Sequence, residues 1–381
     1  MSATVRITGT DVVTDSPAMF PAAVRTPGAL VVAYSTVPDG WPGGEVHVTR
    51  SLDGGDSWTP AASVAAPRGD EEAVLGAIGM TSLADGTILL PVNTVRWTPG
   101  MGTAGRRIAL RLVRSRDEGA TWDEGTDVRI DFHWPAVYGE ILEFEDGELL
   151  WPIWGRRHAE EKWRSAVLSS RDAGVSWQIV GTIAFDPQAS LTGAYVETGN
   201  GERADDAEDT SDPSFRPHDP TDGFSETTVC RLDDGRLLAI LRQQGVGGDA
   251  TLRFHRAYST DRGRTWTSSE ELGFSGMSPA LARFDDGRLL LVSRRRAPEG
   301  SGIEPAVEAR IGDAHGAVWG EPVALEDPRG GRLIAEYQCG YPAPVSDGDG
   351  FRVFFYSYQE GAGRYIASNS LVVGAPLSFS S

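Results

Sequence analysis

One motif recurs along the chain and narrows what it can fold into. The pattern S-x-D-x-G-x-x-W occurs four times, at Ser51 to Trp58, Ser115 to Trp122, Ser170 to Trp177 and Ser259 to Trp266. A fifth segment, Gly312 to Trp319, keeps the Gly and the Trp but has neither the Ser nor the Asp in place. The residue types are those of a tight hairpin. The Asp carboxylate suits the N–H groups of the turn and the Ser hydroxyl, the Gly takes positive φ, and the Trp buries a large ring beneath. Asp residues repeated at equivalent places read as structural staples, not as catalytic acids.

A second repeat precedes each hairpin. SLADGTILLPV (Ser82 to Val92), EFEDGELLWPI (Glu143 to Ile153), RLDDGRLLAIL (Arg231 to Leu241), RFDDGRLLLVS (Arg283 to Ser293) and VSDGDGFRVFF (Val345 to Phe355) each place a D-G turn between two strands. Pro27-Gly28 before ALVVAY is a worn first copy. D-G between apolar runs is a strong hairpin signal. Each unit is therefore strand, D-G turn, strand, connection, strand, Asp-containing turn, strand: a propeller blade. Inner strands are expected near residues 19, 77, 138, 226, 278 and 341. The predicted fold is all-β, a six-bladed β-propeller forming a single domain over residues 1–381, with Thr4 to Val13 closing the ring as the outer strand of the last blade. An acidic loop, Gly199 to Gly223, separates blades three and four.

Composition then excludes partners. The formal net charge of -19 repels phosphate backbones and anionic lipid, so neither nucleic acid nor membrane is expected as a partner. No apolar run reaches the roughly 18 residues of a membrane span, and MSATVRITGTDVV lacks the features of a secretory signal. Cys230 and Cys339 have no metal-ligand spacing and read as reduced thiols of a soluble, cytoplasmic protein. The scattered histidines suggest no metal site, and no cofactor is called for. An anion site on such a surface has to be built locally from arginines.

The blade repeat also locates one end of the central channel. Counting back nine residues from the Gly of each turn reaches Met19, Ala77, Tyr138, Glu226, Ser278 and Tyr341. Blades four and six thus present a Glu and a Tyr at corresponding inner-strand starts.

A six-bladed propeller with these turns resembles the sialidase (neuraminidase) superfamily over nearly the whole chain. The resemblance implies a retaining exo-glycosidase that hydrolyses a terminal acidic sugar. In that family a Tyr nucleophile is activated by a Glu, and an Asp on a first-blade loop is the acid/base. The substrate carries its own carboxylate beside the anomeric carbon, which would repel a carboxylate nucleophile; a phenol avoids that repulsion. Glu226 in SETTVCRL, Tyr341 in YPAPVSDGDG and Asp39 in VPDGWPGG resemble the three residues. The family also clamps the carboxylate with three arginines. Arg242 resembles one, and Arg294 stands seven residues after Gly287 as Arg242 does after Gly235. The chain departs from the pattern elsewhere. Met19-Phe20-Pro21 stands where Arg-Ile-Pro is expected, and Glu304-Pro305 where the third arginine belongs; Arg25, Arg295 and Arg310 are weaker substitutes. Other readings stay open: a lyase or a glycosidase for a uronic or neutral sugar, or a non-catalytic sugar-binding propeller. Tyr341 equally fits an aromatic plug, Glu226 an ion pair with Arg242, and Asp39 a turn. Trp97, Trp134, Trp154 and His133 follow inner strands and suit either a sugar platform or packing.

Overall fold

The structure, a computed structural model, describes residues 4–15, 17–37, 44–69, 72–96, 107–132, 134–156, 163–185, 223–244, 253–295, 302–329, 340–359 and 363–374. The described residues form six antiparallel sheets and no helix. Each sheet is one blade of a propeller. The inner strands are Met19–Arg25, Glu72–Ala77, Trp134–Val137, Gly223–Arg231, Met277–Arg283 and Gly340–Asp347, with short continuations at Thr81–Ser82 and Leu142–Glu143 in blades two and three. In the sixth blade Thr4–Thr14 pairs antiparallel with Gly363–Gly374, so the start of the chain supplies the outermost strand and closes the ring as expected.

The local chemistry of the turns follows the sequence. At the D-G turns Gly86, Gly147, Gly235 and Gly287 have φ of 78 to 85°, where an L side chain is strained. The neighbouring Asp85, Asp146, Asp234 and Asp286 each accept the N–H two residues on, at 2.8 to 3.3 Å. In the Asp-containing turns the Ser hydroxyl donates to the carboxylate and accepts a Gly N–H. Ser170 does so to Asp172 at 2.8 Å and from Gly174 at 2.9 Å. The Thr121 hydroxyl and amide hold Asp117 down to about 2, and Ser176 does the same for Asp172. These carboxylates are consumed by their own turns. The fifth copy is better preserved than its sequence suggests: Asp313 takes the role, accepting the Ala317 and Val318 amides at 2.7 and 3.0 Å.

The core is divided into six apolar clusters, one per interface between neighbouring blades. The second strand of each blade lies between two such clusters, which is why Leu30–Ser35 and Leu289–Arg294 are buried along their whole length. Trp58, Trp122, Trp177, Trp266 and Trp319 each pack into the interface with the preceding blade. The interface between blades five and six has no such Trp and uses an edge-to-face Phe284–Phe351 pair at 4.8 Å instead.

Candidate active site

A backbone irregularity builds the site. In blades one, four, five and six the ladder between the first two strands breaks, between Met19 and Ala22, Ser225 and Thr228, Met277 and Ala280, and Gly340 and Ala343. Inside each break stands a non-glycine residue with positive φ: Phe20 (54°), Glu226 (42°), Ser278 (51°) and Tyr341 (47°). A bulge of this kind re-aims a side chain, here toward the axle, and such strain persists only where the surroundings over-determine it. Three of the four residues precede a proline, Pro21, Pro279 and Pro342, all of which line a narrow axial cavity of about 30 Å³ below the site.

The structure brings Glu226 and Tyr341 together across the axle. The Tyr341 hydroxyl donates to Glu226 Oε1 at 2.8 Å. The same oxygen receives Arg242 Nη1 at 2.9 Å, and Oε2 accepts the Ser278 N–H at 2.8 Å. Glu226 is 3% exposed and Arg242 is 7% exposed. Burial alone would raise the Glu226 carboxyl. Arg242 and then Arg294, helped by the Ser278 amide and the Tyr341 hydroxyl, outweigh burial and hold it below the ordinary range. At neutral pH Glu226 is an ionised acceptor bonded to a phenol, the arrangement of a base and its nucleophile. Arg294 lies in the same field, its Nη2 donating to Met277 Sδ at 3.2 Å. Arg242 and Arg294 oppose Ser225 and Met277 across the first two strands of blades four and five, so both occupy the same level of their blades.

Tyr138 is a second phenol at the site, 3% exposed, with its ring 6.1 Å from that of Tyr341. Burial first, and the Glu226 charge second, push its hydroxyl well above the ordinary phenol range. It stays protonated.

Several expectations are corrected. The first-blade residue at the bulge is Phe20, not Met19. The first turn spans four residues between Arg25 and Leu30, where blade four has five between Arg231 and Leu237, so counting back nine overshoots by one. Met19 is buried in the apolar cluster between blades six and one. Arg25 is bound to Asp347 at 2.7 Å and to the Ser346 carbonyl, at the opposite end of its strand. Arg295 and Arg310 are held by Glu308, at 2.9 and 3.3 Å. None of the three joins Glu226. Trp154 packs edge-on against Trp163 at 4.9 Å. Asp39, Trp97, His133, the Trp134 side chain and the 199–222 stretch of the acidic loop lie outside the described residues. Sequence reasoning missed the Ser278 amide and the Phe20 ring. The X-Pro step at Phe20-Pro21, shared with Ser278-Pro279 and Tyr341-Pro342, was a usable signal for both. A separate cavity of about 750 Å³ lies between the outer parts of blades one and two, beside Arg50 and Trp122.

The fold and this constellation define a propeller of Asp-containing turn repeats with a paired Tyr and Glu at its hub. The chain belongs to the BNR repeat-like domain family, which matches residues 95–354. No curated protein sequence matches it. Among solved structures it is similar to a protein of unknown function from Dyadobacter fermentans, with 21% identity and a TM-score of 0.73 over 97% of this chain and 99% of that one. A Hadza microbial sialidase is 17% identical, with a TM-score of 0.64 over 93% of this chain and 65% of that one. Trypanosoma rangeli sialidase in complex with 2,3-difluorosialic acid, described as a covalent intermediate, is 12% identical, with a TM-score of 0.62 over 93% of this chain and 54% of that one. At these identities the likeness is one of fold.

Proposed function

We propose that the protein is a sialidase-like retaining exo-glycosidase acting on a terminal acidic sugar. The observation that carries this reading is the 2.8 Å hydrogen bond from the half-buried Tyr341 hydroxyl to the buried, ionised Glu226 carboxylate. In the first step Tyr341 Oη attacks the anomeric carbon and its proton passes to Glu226, while Asp39 protonates the departing glycosidic oxygen. In the second step water attacks the same carbon and gives a proton to Asp39. The Tyr341–carbon bond breaks, and the phenol recovers its proton from Glu226. Two displacements at one carbon retain its configuration. Arg242 and Arg294 supply positive charge beside the reacting phenol in an otherwise acidic protein, which favours a substrate with a carboxylate close to the anomeric carbon. The roles of Tyr341, Glu226 and the two arginines rest on this geometry and on the resemblance to sialidases, and that of Asp39 on the resemblance alone.

Removing the nucleophilic oxygen tests the proposal. Tyr341→Phe is expected to lower turnover of aryl glycosides of sialic and ketodeoxy acids by about 10³-fold or more, with binding largely kept. A 2,3-difluoro sugar acid is expected to label Tyr341, read by peptide mass. Near-normal rates in the variant, or binding with no adduct in the wild type, would count against the mechanism. An ultraviolet-absorbing unsaturated product would point to elimination.

A further inference from the structure

Four bulges aim four residues into the axle, and three have an evident task. Glu226 and Tyr341 form the bonded pair, and Ser278 turns its N–H onto Glu226. Phe20 is the fourth. It carries no polar group, yet it holds a φ of 54° in front of a proline, a conformation disfavoured for both reasons. What its ring touches is Tyr341. The two rings meet edge to face, with centroids 4.7 Å apart and planes at 89°. Tyr356 lies nearly parallel to Tyr341 at 6.3 Å and also meets Phe20 at 5.5 Å. Tyr138 approaches from blade three at 6.1 Å. The Tyr341 ring is thus enclosed by three aromatic rings, while its hydroxyl is fixed by Glu226.

We propose that Phe20 is a positioning residue: its ring, with Tyr138 and Tyr356 completing the enclosure, locks the plane of the Tyr341 phenol so that the oxygen faces the reacting carbon. The inference rests on the reading of Tyr341 as nucleophile. Edge-to-face contact is directional, so an aliphatic side chain of similar bulk fills the space without setting the plane. A nucleophile displaced by about 1 Å can lose on the order of 10²-fold in rate, so a ring that rotates freely is a costly one. The first-blade sector of the hub therefore holds the nucleophile instead of contributing a third guanidinium to the substrate.

Two arms test this. In kinetics with an aryl glycoside, Phe20→Leu is expected to lower kcat by about 10- to 100-fold with KM changed less than about threefold, and Phe20→Tyr, which keeps the ring, to stay within about threefold of wild type. Wild-type kcat in Phe20→Leu, or equal damage in Phe20→Tyr, overturns the proposal. In NMR of the unliganded protein with ring-labelled tyrosine, assigned by the Tyr341→Phe spectrum, the wild-type Tyr341 ring is expected to flip slowly enough to give separate signals for its two edges. Those signals should merge in Phe20→Leu, and an already averaged wild-type ring overturns the proposal. If the Leu variant does not fold, the wild-type spectrum and the Tyr variant decide. The NMR arm needs no substrate: a locked ring in a protein that turns over no acidic glycoside supports the positioning and refutes the nucleophile reading.

Discussion

Two carboxylates near the axle are driven in opposite directions. Glu226 is pulled below its ordinary range because two arginines, an amide and a phenol reach it. Glu140 has no such partners among the described residues. It opens into the axial channel, which runs through a cavity of about 450 Å³ that also meets Arg283 and Cys230. Its side chain is open to that channel, but the protein walls crowd the carboxyl, and desolvation pushes it up to about 7. A carboxyl raised on folding favours the folded state least where the unfolded chain is already ionised. The penalty is absent well below 4.5, grows as pH rises toward 7 and is constant above it. Glu140→Gln is therefore expected to raise Tm at pH 8 and leave it nearly unchanged at pH 4, as measured by calorimetry. An equal shift at both values would show that Glu140 does not titrate this way. Residue by residue, the sequence exposed Glu226, Tyr341 and Arg242 because they sit at fixed offsets from D-G turns. Phe20 escaped because one turn is shorter by a residue. Arg25, Arg295 and Arg310 misled because charge type says nothing about which carboxylate is nearer.

At the level of elements, a turn and an interface are joined by one motif. The Ser and Asp close the hairpin, and the Trp three residues beyond the Gly donates its N–H to that Gly carbonyl, at 2.9 to 3.1 Å in four copies, while its ring enters the gap to the preceding blade. Ser170→Ala leaves the buried Gly174 N–H without its acceptor and frees one side of Asp172. The expected cost is about 1–3 kcal/mol of stability, measurable by urea unfolding, with kcat unchanged because this turn lies at the opposite end of its strand from the hub. Turn chemistry of this kind is local, which is why every blade could be read from the sequence. The bulges are different. They depend on how an inner strand fits around the axle against five others, and only the prolines that follow three of them left a trace.

For the whole molecule, the ring closes by pairing residues from opposite ends of the chain: Thr4 faces Gly374 and Thr10 faces Asn369. This pairing covers what would otherwise be an open sheet edge. Deleting residues 1–14 is expected to lower Tm and to produce scattering species that associate through the uncovered Gly363–Gly374 strand. An unchanged Tm with a monodisperse profile would show that closure is dispensable. The latch also sets when the hub exists. Glu226 and Arg242 are synthesised well before Tyr341 and the strand that clasps Thr4–Thr14. Until that later stretch has been made, the hub holds Glu226 without Tyr341, and the two side chains meet only when the ring closes.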